Sequence, residues 1–502
     1  MRCPPLRAMV AGLAVALAPA CLRAGEQAVP QVKVAADTTW SKDVTVESDV
    51  RVENSTLTVA PGVTVTFKGG GRITVGSGAA FVAKGADGKP VKLVGEEAGI
   101  IAGWNCKVLL ERCEITGMGA EQNKRRQWLS LSAGPGGLEL RNCRIFECAG
   151  TWITLKGPVT ISGCDFRRAK NTGELGGIRT YGKGKLLVEG STLTGMDVGA
   201  GAGTSAVVKD NVLIGGTIVG WKNESLVVEG NYVHRPAPKG SYGMRSAVGT
   251  IRGNVFRGGS WVTAQIGGEI TNNLFISLPH EGVGGPGKFD SSCTHEHICG
   301  LRPGSTVARN IFVGASYGAV MGIGSGTCSD SVIRNNTFDM RGRGDPVCLN
   351  HLPKGEVKGI VFRSNIFMRG GKVHDEKGLP DSCSYLDHNL WSEFKDGGRY
   401  RKMTITGSKP GDAGFGRNDV PPGTGSVPPA SVVADPEVKF PFTDDQMLAR
   451  KHTVAEVLAA YRKAYAPKKG SPALDRGDPA DRDDPAVTDG KPDIGAAEFV
   501  KE

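Results

Sequence analysis

The sequence predicts an all-β chain wound as a parallel β-solenoid, on three observations. A short pattern, apolar-x-apolar-x-x-Asn-x-apolar, recurs from about residue 108 to 395. Its twelve slots, from Cys113 to Asn389, keep a mean period of about 25 residues, the mark of stacked repeats. Glycine supplies 73 of 502 residues, about twice the usual ~7%, as suits a chain that turns every few residues.

Each copy is too short and too β-branched for a helical hairpin, and its alternation marks a strand. Clear copies end at Asn211, Asn231, Asn254 and Asn273; later ones end at Asn310, Asn336, Asn365 and Asn389. Three short strands with tight turns fill about 25 residues, one coil, and successive coils stack ~4.8 Å apart. Equivalent side chains then form columns. The Asn column fits a turn residue in the left-handed region, with each amide bonding the next along the stack. Earlier copies put Cys113, Cys143, Cys164 and Ser191 in that slot, where cysteine would pack as a small apolar residue.

With this repeat in view, the chain resembles the right-handed parallel β-helix proteins of the pectate-lyase-like (pectin-lyase-like) superfold over most of its length. The stretch Leu57-Thr58-Val59-Ala60-Pro61-Gly62-Val63-Thr64-Val65-Thr66-Phe67 resembles the opening coils of bacterial secreted members. Gly470-Ser471-Pro472-Ala473-Leu474-Asp475-Arg476-Gly477, followed by Asp493-Ile494-Gly495-Ala496-Ala497-Glu498, resembles a terminal motif of the group, which has Tyr where this chain has Ala497. The resemblance implies a single-stranded right-handed β-helix. It does not fix an activity, because the superfold hosts lyases, hydrolases, epimerases and non-enzymes.

From the N-terminus, Arg2 and Arg7 precede an apolar run from Met9 to Ala18, and Ala18-Pro19-Ala20 offers a cleavage site. Residues 1–24 therefore read as a signal peptide, with cleavage after Ala20 or after Ala24. Cys21 offers a lipoprotein alternative, against which Ala-Pro-Ala is a poor acylation box. No later stretch is apolar enough to span a membrane. The expectation is a secreted, periplasmic or cell-surface monomer. The β-helix is placed at 37–400, a Gly/Pro-rich linker or wrapped loop at 401–434, and a capping segment at 435–502. Within that segment Thr453 to Tyr465 reads as a helix with Val454, Val457, Leu458 and Tyr461 on one face, suited to closing the open end of the solenoid. Export permits disulfides among the ten cysteines beyond Cys21, but their connectivity is not readable.

Coil length varies, and a loop not needed for stacking is where function concentrates. The step from Asn273 to Asn310 carries an excess at Leu278 to Arg302 that holds His280, Glu281, Asp290, Cys293, His295, Glu296, His297 and Cys299. Cys293-Thr294-His295-Glu296-His297-Ile298-Cys299 alternates strictly, so an extended strand would present His295 and His297 together. Curled instead, it would close through Cys293 and Cys299. A His-x-His pair binds zinc only with a further ligand, for which His280, Glu281 or His351 are candidates. The metal assignment stays unknown.

A second constellation appears in Gly177-Ile178-Arg179, Gly220-Trp221-Lys222, Gly243-Met244-Arg245 and Gly300-Leu301-Arg302. The apolar member should point inward and the cation outward, giving a ladder of positive charge ~24 Å long for a linear polyanion. Net charge agrees: +10 falls by three to +7 once Arg2, Arg7 and Arg23 leave with the leader. The competing reading is that Lys and Arg merely protect an exposed sheet.

The paired aspartates with Gly-His-Gly and Arg-Ile-Lys of polygalacturonase-type hydrolases are missing, as are the calcium-binding aspartates of extracellular pectate lyases. Asp475, Asp478, Asp481, Asp483, Asp484 and Asp489 form an acidic run that reads as a calcium site or as a solvated turn. No cofactor is certain. Nucleic acid is not an expected partner for an exported protein of this kind. The leading expectation is a lyase acting by β-elimination on an acidic, uronate polysaccharide. It assigns His295 or His297 as base and Arg245 and Arg302 as carboxylate neutralisers. Arg179, Lys222, His280 and Glu281 contact flanking sugars. The alternatives are a non-catalytic glycan-binding surface protein and a glycoside hydrolase using Glu281, Asp290 and Glu296.

Overall fold

A computed structural model describes residues 27–29, 32–96, 99–119, 127–132, 136–148, 150–155, 157–167, 176–180, 182–236, 242–258, 261–277, 296–314, 318–321, 328–341, 345–348, 358–369, 383–392, 429–483, 487, 489 and 491–497. The chain visits three sheets in turn, coil after coil. Sheet A has 16 strands, from Gln27–Val29 to Leu390–Ser392. Sheet B has 14, from Val32–Val34 to Asp345–Cys348, and sheet C has 15, from Thr38–Trp40 to Cys383–Asp387. Neighbouring strands are parallel throughout, with about 23 residues per turn. The coils therefore begin before Asp37. Residues 1–26 and 393–428 lie outside the described residues.

Alternation builds the interior. In Thr64–Phe67, Val65 and Phe67 are enclosed and the two threonines face out. In the later coils Phe256, Phe275, Phe312, Phe338 and Phe367 stack face to face, with ring centres 5.3, 4.9, 4.7 and 5.0 Å apart. Offset-parallel rings at this spacing gain attraction beyond the area they bury.

The Asn column forms as expected, at the corner between sheets C and A. Nδ2 of Asn231 donates to Oδ1 of Asn254 at 3.0 Å and to the Val208 carbonyl at 2.8 Å, while its Oδ1 accepts from Asn211 N and Nδ2. The same bonds repeat from Asn211 to Asn389, over steps of 19 to 37 residues. A buried amide satisfied this fully ties two coils together. The expected left-handed turn residue lies one position earlier: Asp210, Asn272, Arg309, Asn335, Ser364 and His388 have φ between 50° and 59°. The ladder Asn needs its amide aimed along the stack, so the preceding residue makes the turn. Cys113, Cys143 and Cys164 pack in the equivalent column as free, buried thiols.

The C-terminal part corrects an expectation. Helices α1 (Pro429–Val432), α2 (Asp444–Leu448) and α3 (Val454–Tyr465) accompany the solenoid. Thr453 and Glu456 form a capping box at the start of α3. Helix α3 does not close the end of the coils. Its Val457, Leu458, Tyr461, Ala464 and Tyr465 lie along sheet A, packed in one cluster with Val212, Tyr232, Val255, Leu274, Ile311, Ile366 and Leu390. The reason is that sheet A is apolar on both faces here and must be covered.

Buried polar contacts fix this cover. Asp444 of α2 accepts from Tyr232 Oη and meets His234 Nδ1, each at 2.7 Å. Tyr465 Oη donates to Asp339 Oδ2 at 2.6 Å, and Arg369 pairs with the same carboxylate. The terminal motif residues dock by backbone. Ile494 N donates to the Ala473 carbonyl, Gly495 N to the Ser364 carbonyl, and Ala496 N to Thr337 Oγ1. Gly495, at φ 113°, sits where a Cβ would come within 2.5 Å of Ile366.

Sheet C is protected differently. Its outward column runs through Glu189, Lys209, Glu229 and Arg252 in register. Lys209 Nζ lies 3.0 Å from Glu189, and Arg252 makes two bonds to Glu229 at 2.9 and 3.0 Å. Further along, Arg334 and Arg363 are adjacent, and Asp481 from the tail lies 3.5 and 2.8 Å from them.

Candidate functional site

With sheet A covered over its later coils and an outward column of sheet C charge-paired, sheet B carries the candidate site. The longest sheet-to-sheet connections in its middle coils enter it from sheet A, as between Ile276 and Glu296. One line of register positions on it passes through Trp104, Ser132, Thr154, Arg179, Gly199, Val219 and Arg245. Trp104, Arg179 and Arg245 are thus three strand steps apart, ~14 Å for each interval.

The expected single cation ladder resolves into two rows. Arg179 and Arg245 stand on the strands Gly176–Thr180 and Tyr242–Arg245. Lys222 and Arg302 fall in the turns that leave sheet B for sheet C. Coils of unequal length shift these two off the strand. Arg179 lies along the sheet over Gly199, where a Cβ would meet its Cγ at 3.1 Å. Arg245 is exposed, its guanidinium carbon 5.8 Å from the Tyr242 ring centre. Lys222 adopts φ 51° and holds its Nζ 5.6 Å from the Trp221 ring centre. Arg302 is exposed and reaches Gln265 Oε1 at 3.4 Å.

Ile178, Met244 and Leu301 point inward as expected, but Trp221 does not: it is 54% exposed. Trp104, 61% exposed, and Tyr242 were not among the sequence candidates. An indole in an outward strand position is the signal that could have found Trp104. Among the described residues, Lys222, Arg245 and Arg302 form no ion pair with a carboxylate, in contrast to Lys209 and Arg252 on sheet C.

The histidine expectation needs correction. His297 is fully enclosed, its ring centre 5.6 Å from Phe312 and 6.5 Å from Phe275, with Nε2 3.1 Å from the Val313 carbonyl. His297, Ile298 and Cys299 are buried in succession, so the strict alternation fails at this corner. A side chain inside the coil cannot take a proton from a polysaccharide outside it, nor pair with an outward residue for zinc. His280, Glu281, His295 and His351 lie outside the described residues.

Among the described residues no group of three or more His, Cys, Asp or Glu side chains is arranged to hold a metal. In the acidic run, Asp481 is taken by Arg363 and by Ser364 Oγ at 3.0 Å, and Asp478 by the amide of Ala480 at 2.9 Å. These carboxylates pin the tail. Burial pushes the Cys106 thiol up to about 11 and the Cys148 thiol up to about 12, so neither is a nucleophile at neutral pH.

No protein-family model matches the chain. No curated protein matches it either. A solved structure titled "a new PL6 alginate lyase complex with trisaccharide" is similar at 12% identity and a TM-score of 0.29, over 72% of this chain and 80% of that one. A likeness that slight carries no argument about activity. No helix among the described residues is long and apolar enough to cross a membrane.

Proposed function

We propose that the protein is a secreted, carbohydrate-active β-solenoid that takes an acidic polysaccharide along sheet B and cleaves it by β-elimination. One observation carries the reading. On sheet C, Lys209, Arg252, Arg334 and Arg363 are paired with carboxylates, whereas Lys222, Arg245 and Arg302 beside sheet B have none among the described residues. Lys209 and Arg252 show how cations that protect a sheet are satisfied within the fold. A uronate chain would supply the missing partners, one carboxylate per sugar, and the strand spacing of ~4.8 Å is close to one sugar of an extended chain. Arg245 and Arg302 would neutralise the carboxylate beside the proton to be removed, with Arg179 and Lys222 on flanking sugars.

The base is assigned to His295, because His297 is enclosed. A second reading, plain glycan binding, is favoured by that same enclosure, which leaves one histidine candidate instead of two. Incubation of the mature protein with uronate and sulfated polysaccharides, followed by ultraviolet absorbance of unsaturated products, separates the two. A rise that Arg302→Ala abolishes supports the lyase. No rise, with retention in affinity electrophoresis that Arg245→Ala weakens, leaves binding alone. Neither response rejects both.

A further inference from the structure

We propose that Trp104 is a distal stacking platform for this acidic polysaccharide, holding a sugar ring six coils from Arg245; the inference rests on the reading of sheet B given above. Trp104 ends the strand Ile100–Trp104 and is the most exposed large apolar side chain among the described residues. The fold does not demand an indole there. In the preceding coil the corresponding place, after Val75, is taken by Gly76.

The position is held firmly. Asn105 turns the next corner at φ 52°, and its Nδ2 donates to Ser77 Oγ at 2.7 Å. Ala102 and Gly103 precede the indole in its own strand, so no bulky neighbour on that strand covers it. Only Ser132 and Thr154 occupy the register positions between Trp104 and Arg179.

The chemistry divides between these groups. A pyranose presents an apolar C–H face, and a uronate carries its carboxylate at the ring edge. An indole face takes the first, and a guanidinium takes the second. Trp104, Arg179 and Arg245, aligned at equal three-step intervals, suit a linear, extended, anionic chain lying along the solenoid axis. Trp221 beside Lys222 repeats the aromatic–cation pairing nearer Arg245.

The test uses the full mature protein and oligosaccharides cut from whichever acidic polysaccharide it retains in affinity electrophoresis. Two size classes are compared: those long enough to span six strand steps, ~29 Å, and those spanning only three, ~14 Å. Trp104→Ala should weaken binding of the long class roughly tenfold, as truncation of an aromatic anchor does, and leave the short class unchanged. Trp104→Phe should recover most of the loss. Circular dichroism should match wild type for both variants, since the side chain is exposed. Unchanged binding of the long class, or an equal loss in both classes, overturns the proposal while sheet B remains the binding face. If the wild-type protein retains no acidic polysaccharide, the sheet B reading falls and this one with it.

Discussion

Two columns of the same coils, one on sheet B and one on sheet C, both show charge outward, yet they use it in opposite ways. On sheet C, successive coils place Glu189, Lys209, Glu229 and Arg252 in one column, and neighbours neutralise each other. Where the alternation breaks, at Arg334 beside Arg363, the tail supplies Asp481. On sheet B the column interposes Gly199 and Val219 between Arg179 and Arg245, and the cations of the adjoining turn find no carboxylate among the described residues. Paired charge closes a surface, and unpaired charge of one sign leaves it open to a polyanion.

The sharpest way to test this contrast is to break the pairing at the end of sheet C. Asp481→Ala should cost about 3 kcal/mol or more in denaturant unfolding, because two half-buried arginines lose their buried partner. Polysaccharide binding should be unaffected if sheet B is the site. Asn254→Ala should cost about 2 kcal/mol by the same measurement, since Asn231 would lose the acceptor for its N and Nδ2. Arg245→Ala should weaken binding of an acidic polysaccharide roughly tenfold, more steeply at low salt, with stability unchanged within about 0.5 kcal/mol. Arg252→Ala on sheet C should change binding not at all and stability by less than about 1 kcal/mol. Equal losses of binding from Arg245→Ala and Arg252→Ala would dissolve the distinction between the two sheets.

Acid gives a graded version of the same comparison. The hydrogen bond from Lys209 holds the Glu189 carboxyl below its usual range. Burial alone would raise Asp444, but hydrogen bonds from His234 and Tyr232 together outweigh it and hold that carboxyl low too. A carboxyl depressed in the folded state stabilises above its unfolded value, near ~4, and loses that contribution as pH falls through the folded value. Stability should therefore hold from neutrality to about pH 4 and decline below it. Thermal unfolding across pH checks this, and Asp444→Asn should flatten the decline.

Much of this architecture was legible in the sequence because a solenoid repeats its instructions. Asn211 through Asn389 announced both the coil and the column, since a buried amide ladder needs the same residue at each step. The left-handed turn was misplaced by one residue because it is filled by Asp210, Gly230, Arg309 and Ser364 alike, with no shared residue type to read. Strict alternation puts His295 and His297 on one face, but the corner buries His297, Ile298 and Cys299 in succession. Helix α3 was visible from its periodicity. Its resting place was not, because the apolar outer face of sheet A is indistinguishable, residue by residue, from the apolar inner one.

The sequence by itself determined the coil, the Asn column and the helix, each fixed by contacts that recur at a constant spacing along the chain. It also named Arg179, Lys222, Arg245 and Arg302 as the cations worth following. The tertiary structure alone decided which of them share a column and that Trp104 and Trp221 stand in solvent. It alone placed His297 inside the coil and matched Asp481 to Arg363 across 118 residues. Those outcomes depend on the sum of unequal coil lengths and on contacts between distant segments, and no local pattern carries that sum.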